Sequence, residues 1–278
     1  MDEEVLQESL VFKKYVQKLS PVELESKKKA ILECGEEKQR VLYEGERKWC
    51  LSPFCPICEA RRKPLDVIAL INVGDYLSAT NDVEFFAIEV SVHDIEPDKF
   101  ATVTDEMVEA ASRFITSSPY KKFFHAFVRR MHFGYQKEKG TYSIHLTSIG
   151  AVSAEIAKEL PIEEMTHFTR KSWVKLYNNK EFPYKMTRME SFKEINDKAL
   201  ALLYAFSDYT VPPEHLLHSE DVFLTFVKAI APIRLLTMSN DMNKLFKNQI
   251  QELNNSILMQ TNGLLRNINP LLYRNRIQ

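Results

Sequence analysis

The stretch WCLSPFCPICEARRK brings Cys50, Cys55 and Cys58 together and follows them at once with Arg61, Arg62 and Lys63. Thiolates are soft metal ligands, and a Cys-x4-Cys-x2-Cys spacing sets two of them on one tight turn, which Pro56 stiffens. The remaining cysteine, Cys34, precedes Gly35 and lies upstream, where the chain can bring it back as a fourth ligand. Four thiolates around tetrahedral Zn2+ leave no coordination position for water, so such a site is structural. Two other readings stand beside it: a redox pair in the Cys55–Cys58 CxxC step, and buried free thiols. All four cysteines fall in the first quarter of the chain, whereas disulfides of a large secreted protein are more often spread over the fold, and this favours metal. The basic run Arg61, Arg62, Lys63 offers charge-assisted hydrogen bonds to phosphate; its plainer reading is a solvated face.

With 37 basic and 38 acidic residues the net charge is -1, so no overall basicity advertises nucleic acid, and a DNA site has to be a local patch. A hydrophobic content of 45% over 278 residues is enough for a real core. No run approaches the roughly 18 apolar residues of a membrane span. The start, MDEEVLQESLVFKK, is acidic and amphipathic where a signal peptide is basic and then apolar. A cytoplasmic protein with no membrane partner is the expectation.

The elements that must position these groups follow from pattern. Glu4 to Leu19 and Pro21 to Leu32 read as helices, the second with Ser20-Pro21-Val22-Glu23 as its start signal. VIALINV (Val67 to Val73) and EFFAIEVSV (Glu84 to Val92) read as strands from their β-branched and aromatic content. Asp105 to Thr116 reads as a helix. FFHAFVRRMHFGY and TYSIHLTSIGAV, joined by the charged turn Gln136 to Gly140, form the clearest hairpin in the chain. Arg129 and Arg130 on its first arm can track phosphates or face solvent. Helical patterns follow at Glu163 to Tyr177, Ser191 to Phe206, Ser219 to Ile230 and from about Asn240 to Leu265. The class is α+β, strands in the middle and helices on both flanks, divided as 1–65 with the N-terminal helices and cysteine segment, 66–215 with the sheet, and 216–278 as a helical C-terminal region.

ECGE (Glu33 to Glu36) followed by WCLSPFCPICEARRK resembles the N-terminal cysteine segment of the replication initiators of small bacterial rolling-circle plasmids. The order continues downstream: FFAIEVSVHDIEPDKF resembles the family's first strand motif, the hairpin resembles the one carrying its metal-binding motif, SWVKLY resembles a tryptophan-containing helix, and LLYAFSDYTV and RLLTMSNDMNKL resemble two later blocks. The resemblance covers roughly residues 30 to 245. It implies a central antiparallel sheet of the HUH-nickase type with a zinc-knuckle segment before it. It also implies a single-stranded or hairpin origin DNA as partner, Mg2+ or Mn2+ where nicking is retained, and a tyrosine nucleophile at Tyr204. Two histidines one residue apart on a strand face the same side and can share a metal that neutralises phosphate charge.

Against that pattern, approximately Tyr-His-Pro-His-Phe-His, this chain reads Tyr142-Ser143-Ile144-His145-Leu146-Thr147. His145 alone remains, with Ser143 and Thr147 on its face, and hydroxyls are poor replacements for imidazole. His132 on the partner arm supplies a second imidazole if the register is right. Leu200 stands where the family has a glutamate one turn before Tyr204, with Glu194 and Asp197 nearby but not matching, and Tyr209 is a second tyrosine candidate. The expectation is therefore a plasmid replication protein that binds origin DNA and nicks it through Tyr204 and His145. The alternative is a derived module that binds DNA or protein without strand transfer.

Overall fold

Phe124 to Ser153 forms the centre of the sheet because two long apolar arms are joined by a short polar turn, with Gly140 at φ 67 taking the left-handed conformation that closes it. In the computed structural model, which describes residues 3–19, 22–34, 50, 52–80, 82–117, 124–159, 162–192, 210–253 and 255, these arms are the paired strands β2 (Phe124–Gln136) and β3 (Thr141–Ser153). With β1 (Val83–Ile95), β4 (Lys185–Phe192) and β5 (Leu236–Met238) they make a five-stranded antiparallel sheet in the order β4-β1-β3-β2-β5. The α+β expectation holds, with helices flanking the sheet.

The N-terminal helices are α1 (Glu3–Leu19), α2 (Val22–Glu25) and α3 (Lys28–Leu32), followed by α4 (Pro56–Thr80). Beyond β1 come α5 (Phe100–Thr116), α6 (Ala154–Glu159), α7 (Ile162–Leu176), α8 (Pro213–Leu216) and α9 (Glu220–Ile230), with a last described helix, α10, over 240–253. One sheet face carries Phe86, Ile88, Val90 and Val92 of β1 with Ile144 and Leu146 of β3 and Met131 and Phe133 of β2, all buried. Aromatic packing seals it: Phe100 stacks on Tyr142 with ring centroids 4.5 Å apart and meets Phe133 and Phe226 edge-on, while Phe114 stacks on Trp173 at 5.5 Å.

The opposite face is divided. At one end Phe85, Ala87, Ala126, Val128, Ile149 and Ala151 are covered by Val67, Leu70 and Val73 of α4 and by Met242 of α10. The residues of VIALINV, expected as a strand, are thus part of a helix. Their β-branched content is overridden by a stripe at Val67, Leu70 and Val73 that one helical face lays on the sheet, leaving Ile68 43% exposed. Helix α4 also runs unbroken through residue 65, and Phe226 and β5 join the core and sheet of the central region.

Two further differences are local. Pro21 to Leu32 gives two short helices rather than one, separated by a turn in which the Lys27 amide donates to the Leu24 carbonyl at 2.9 Å. Ser191 and Phe192, expected to open a helix, end strand β4, whose pairing with β1 supplies the ladder that its polar sequence does not advertise. The rest of that expected helix lies outside the described residues. The helix read over Ser219 to Ile230 is α9, and Ser219 caps it, its hydroxyl accepting from the Val222 amide at 3.2 Å.

Strand β2 would be an edge beyond its short pairing with β5, yet its amides are occupied. Phe127 donates to Ser239 Oγ at 3.3 Å, Met131 to the Leu235 carbonyl at 3.1 Å, Phe133 to the Thr210 carbonyl at 2.8 Å and Tyr135 to His215 Nδ1 at 3.4 Å. Segments distant in sequence are laid along this edge and protect it.

Candidate functional site

Cys34 follows the end of α3, where its amide donates to the Ile31 carbonyl at 3.1 Å. The turn before α4 is held by Ser52: its carbonyl accepts from the Cys55 amide at 3.2 Å and its hydroxyl from the Phe54 amide at 3.3 Å. Cys55 precedes Pro56 at the head of α4, and Cys58 sits in the first turn, where the positive end of the helix dipole favours thiolate. All four sulfurs are buried and lie within 4.8 Å of one another. The Cys34–Cys58, Cys50–Cys58 and Cys55–Cys34 separations are 3.4, 3.5 and 3.7 Å. A tetrahedron of thiolates around zinc has an edge of about 3.8 Å when each bond is about 2.3 Å, so the cage fits that ion. Hydrogen bonding with Cys50, then with Cys55 and Cys58, pulls the Cys34 thiol far below its ordinary value, while contact with Cys34 pushes Cys50 and Cys55 far up. Cys58 is lowered as well, so the crowded thiols split into two that ionise more readily and two that hold their protons; all four ionise together only around a cation. Among the described residues this is the group of three or more potential ligands that converges closely enough to hold a metal ion.

Directly after Cys58, Glu59 turns inward. Its carboxylate accepts from Arg130 at 2.7 Å, from Arg62 at 3.3 Å and from the Thr210 hydroxyl at 3.2 Å. Arg62 Nε also lies 3.3 Å from Asp66, whose carboxyl is pushed up to about 6 by burial, with Arg62 and Arg130 opposing the shift. Arg62, Asp66, Arg130, Thr210 and Arg234 line one cleft of about 360 Å³.

Alternation along the strands sets the half of the sheet face that α4 leaves outside its apolar cluster. Glu89, Thr147 and Arg130 form one row across β1, β3 and β2; Ser91, His145 and His132 form the next. The register that sequence cannot supply therefore places His132 directly opposite His145. Toward the hairpin turn the β1–β3 register shifts between Val92 and Ile95, where Asp94 takes φ 56 in the left-handed region. A bulge re-aims the side chain beside it, and here it brings His93 to a ring-centroid distance of 5.0 Å from His145, edge-on, with its Nε2 2.9 Å from Ser91 Oγ. Burial, reinforced by His93 and His132, pulls His145 down to about 4, and burial followed by Lys185 lowers His93. Neutral imidazoles with available nitrogen lone pairs are the metal-binding form. Next to this row Gly134 is close-packed: a Cβ there would stand 2.7 Å from Ser143 Oγ, and the His215 ring lies just beyond.

Of the basic residues read from sequence, Arg130 is buried against Glu59, and Arg62 bridges Glu59 and Asp66. Their charges face carboxylates on the protein's own interior. Arg129, on the other face, is 6% exposed and donates to Ser112 Oγ at 3.2 Å. Lys63 is half-buried on α4, and the Arg61 side chain lies outside what is described. Tyr204, Tyr209, Glu194, Asp197 and Leu200 lie outside the described residues as well. Two residues escaped the sequence reading. His93 has the right parity with Ser91 and Glu89, but only the bulge points it at His145. Glu59 reads as an ordinary helix acid, and its partners come from segments 71 and 151 residues away.

A family model described as "Replication protein" matches residues 39–269, most of the chain, and leaves Cys34 and the helices before it outside the match. No curated protein and no solved structure matches the chain.

Proposed function

The chain belongs to the Rep family of replication proteins, and from that premise we propose that it is a plasmid initiator that engages origin DNA on the polar half-face of its sheet and cleaves one strand through Tyr204. The observation that carries this reading is the cross-strand group His132, His145 and His93. Ser143 and Thr147 deprive β3 of its own flanking imidazoles, and the neighbouring strands β1 and β2 provide two in their place. Two of these imidazoles, with water and phosphate oxygens completing the shell, would hold a divalent cation, Mg2+ or Mn2+, that neutralises charge on a phosphate oxygen; the three rings by themselves do not converge closely enough to chelate it. Burial lowers His145 and His93, which favours their neutral, metal-binding forms. The edge of β2 fixes Thr210, the first described residue after the segment that carries Tyr204. Attack by the tyrosine oxygen on phosphorus forms the phosphotyrosyl bond and releases the 3′-hydroxyl strand.

The four-cysteine clip is structural in this reading and takes no part in the displacement. A second reading, DNA binding without cleavage, is favoured by one feature: the cysteine sulfurs converge into a ready metal cage, whereas only His145 keeps the expected histidine position on β3. The test incubates the protein with Mg2+ or Mn2+ and single-stranded or hairpin oligonucleotides from its own origin, and looks for a covalent protein–DNA adduct. An adduct abolished by Tyr204→Phe and reduced by His145→Ala, His132→Ala or His93→Ala is the expected result. Binding with no adduct establishes the second reading, and absence of binding overturns both.

A further inference from the structure

We propose that Glu59 is a positioning residue that couples the four-cysteine clip to the edge of β2 where the tyrosine-bearing segment ends. Glu59 is the residue after Cys58, in the first turn of α4, so any movement of the clip moves it. Its carboxylate is 3% exposed and joins three parts of the chain: Arg62 on its own helix, Arg130 on β2 and Thr210. Arg130 also donates to Thr210 Oγ1 at 3.4 Å, closing a triangle of buried side chains. Thr210 is 1% exposed, and its carbonyl accepts the Phe133 amide at 2.8 Å, immediately beside His132.

The same carboxylate therefore sets the guanidinium two residues from His132 and anchors the residue through which the chain leaves 193–209. Its neighbours cannot do this alone. Arg62 and Arg130 repel one another without the carboxylate between them, and Thr210 would have a cation but no anion to receive its hydroxyl proton. A clip holding zinc keeps the first turn of α4 in place and Glu59 with it. A clip that has lost its metal, or whose thiols are oxidised, releases Glu59 and then Thr210. The importance of this coupling for strand cleavage rests on the function proposed above; the coupling itself does not.

The measurement is amide hydrogen exchange at Phe133, the donor to Thr210, with amides of the β1–β3 ladder as references. Full-length protein is compared zinc-loaded, after zinc chelation, and as zinc-loaded Glu59→Gln and Thr210→Val. Thr210→Val is nearly isosteric and removes only the hydroxyl, which donates to Glu59 and accepts from Arg130, so it reports even where chelation unfolds the N-terminal helices. Exchange at Phe133 is expected to rise about tenfold in Thr210→Val, the equivalent of one hydrogen bond's net worth, with the ladder references unchanged and the zinc content equal to wild type, and to rise by more than the references do on chelation and in Glu59→Gln. Unchanged Phe133 exchange in Thr210→Val, or an equal rise at Phe133 and the references on chelation, overturns the coupling and makes the clip a general staple. Coupling observed in a protein that forms no DNA adduct would instead leave this inference standing and remove the cleavage reading.

Discussion

Arg130→Met is expected to destabilise the protein by about 3 kcal/mol, at the lower end of what removing one partner of a buried ion pair costs. The pair is as buried as such pairs become, with both side chains 3% exposed and a 2.7 Å contact. After Arg130 is lost, Glu59 still accepts from Arg62 at 3.3 Å and from Thr210, which is why the cost stays at the lower end. Glu59→Gln leaves two guanidiniums without their shared anion and is expected to cost about 4 kcal/mol. In the double variant no unpaired buried charge is left at Glu59, so its cost should stay near 4 rather than reach the sum, a coupling of about 3 kcal/mol. In thermal unfolding the Arg130→Met change corresponds to a fall of roughly 6–12 °C for a chain of this size. The assay is urea unfolding of zinc-saturated protein followed by far-ultraviolet circular dichroism, at low and at high salt. A buried pair should be nearly indifferent to salt, unlike the exposed Lys139–Asp94 pair at the hairpin turn, where both side chains are more than half exposed. Arg130→Met within 1 kcal/mol of wild type, or strict additivity of the two changes, would refute the reasoning.

Metal analysis should find zinc in the wild type and little in Cys55→Ser, because three thiolates and a hydroxyl no longer close the cage; equal zinc in both would rule out the four-cysteine ligand set. Two pH effects should oppose one another when no divalent metal is added. Asp66 is raised to about 6, so the folded state holds its proton longer and stability falls as pH rises through about 4 to 6. His145 is lowered to about 4, so the unfolded state binds the proton first and stability rises with pH through about 4 to 6.5. Each is worth about 3 kcal/mol, so Asp66→Asn should leave a stability that climbs across this window and His145→Gln one that declines. Unfolding curves at pH 4, 5, 6 and 7 decide it, and parallel profiles for the two variants would show the assignments to be wrong. Gly150→Ala should cost about 1–3 kcal/mol, since its Cβ would fall 2.2 Å from the Phe124 ring; Phe124→Leu should relieve part of that cost in the same unfolding assay.

Local chemistry written in consecutive residues was legible without coordinates. The hairpin could be read because two apolar arms flank a charged turn, and α9 because its apolar residues follow a helical pattern. The clip could be read because Pro56 and the Cys55–Cys58 step carry their own geometry. The polar half-face was only half legible: alternation put Ser143, His145 and Thr147 on one side, but which imidazoles they would meet was a matter of register. Val67 to Val73 misled because β-branched content is a weak preference that burial against a sheet overrides.

Sequence by itself thus determined the α+β class, the four thiols and the placing of Ser143, His145 and Thr147 on one strand face. Only the tertiary structure decided that β1 and β2 bring His93 and His132 to His145, and that Glu59 ties the clip to Arg130 and Thr210. The physical reason is the range over which each is specified. A cap, a turn or a knuckle is settled by neighbours a few residues apart, whereas a cross-strand row and a buried charge network depend on strand register and on packing between segments that no local preference relates.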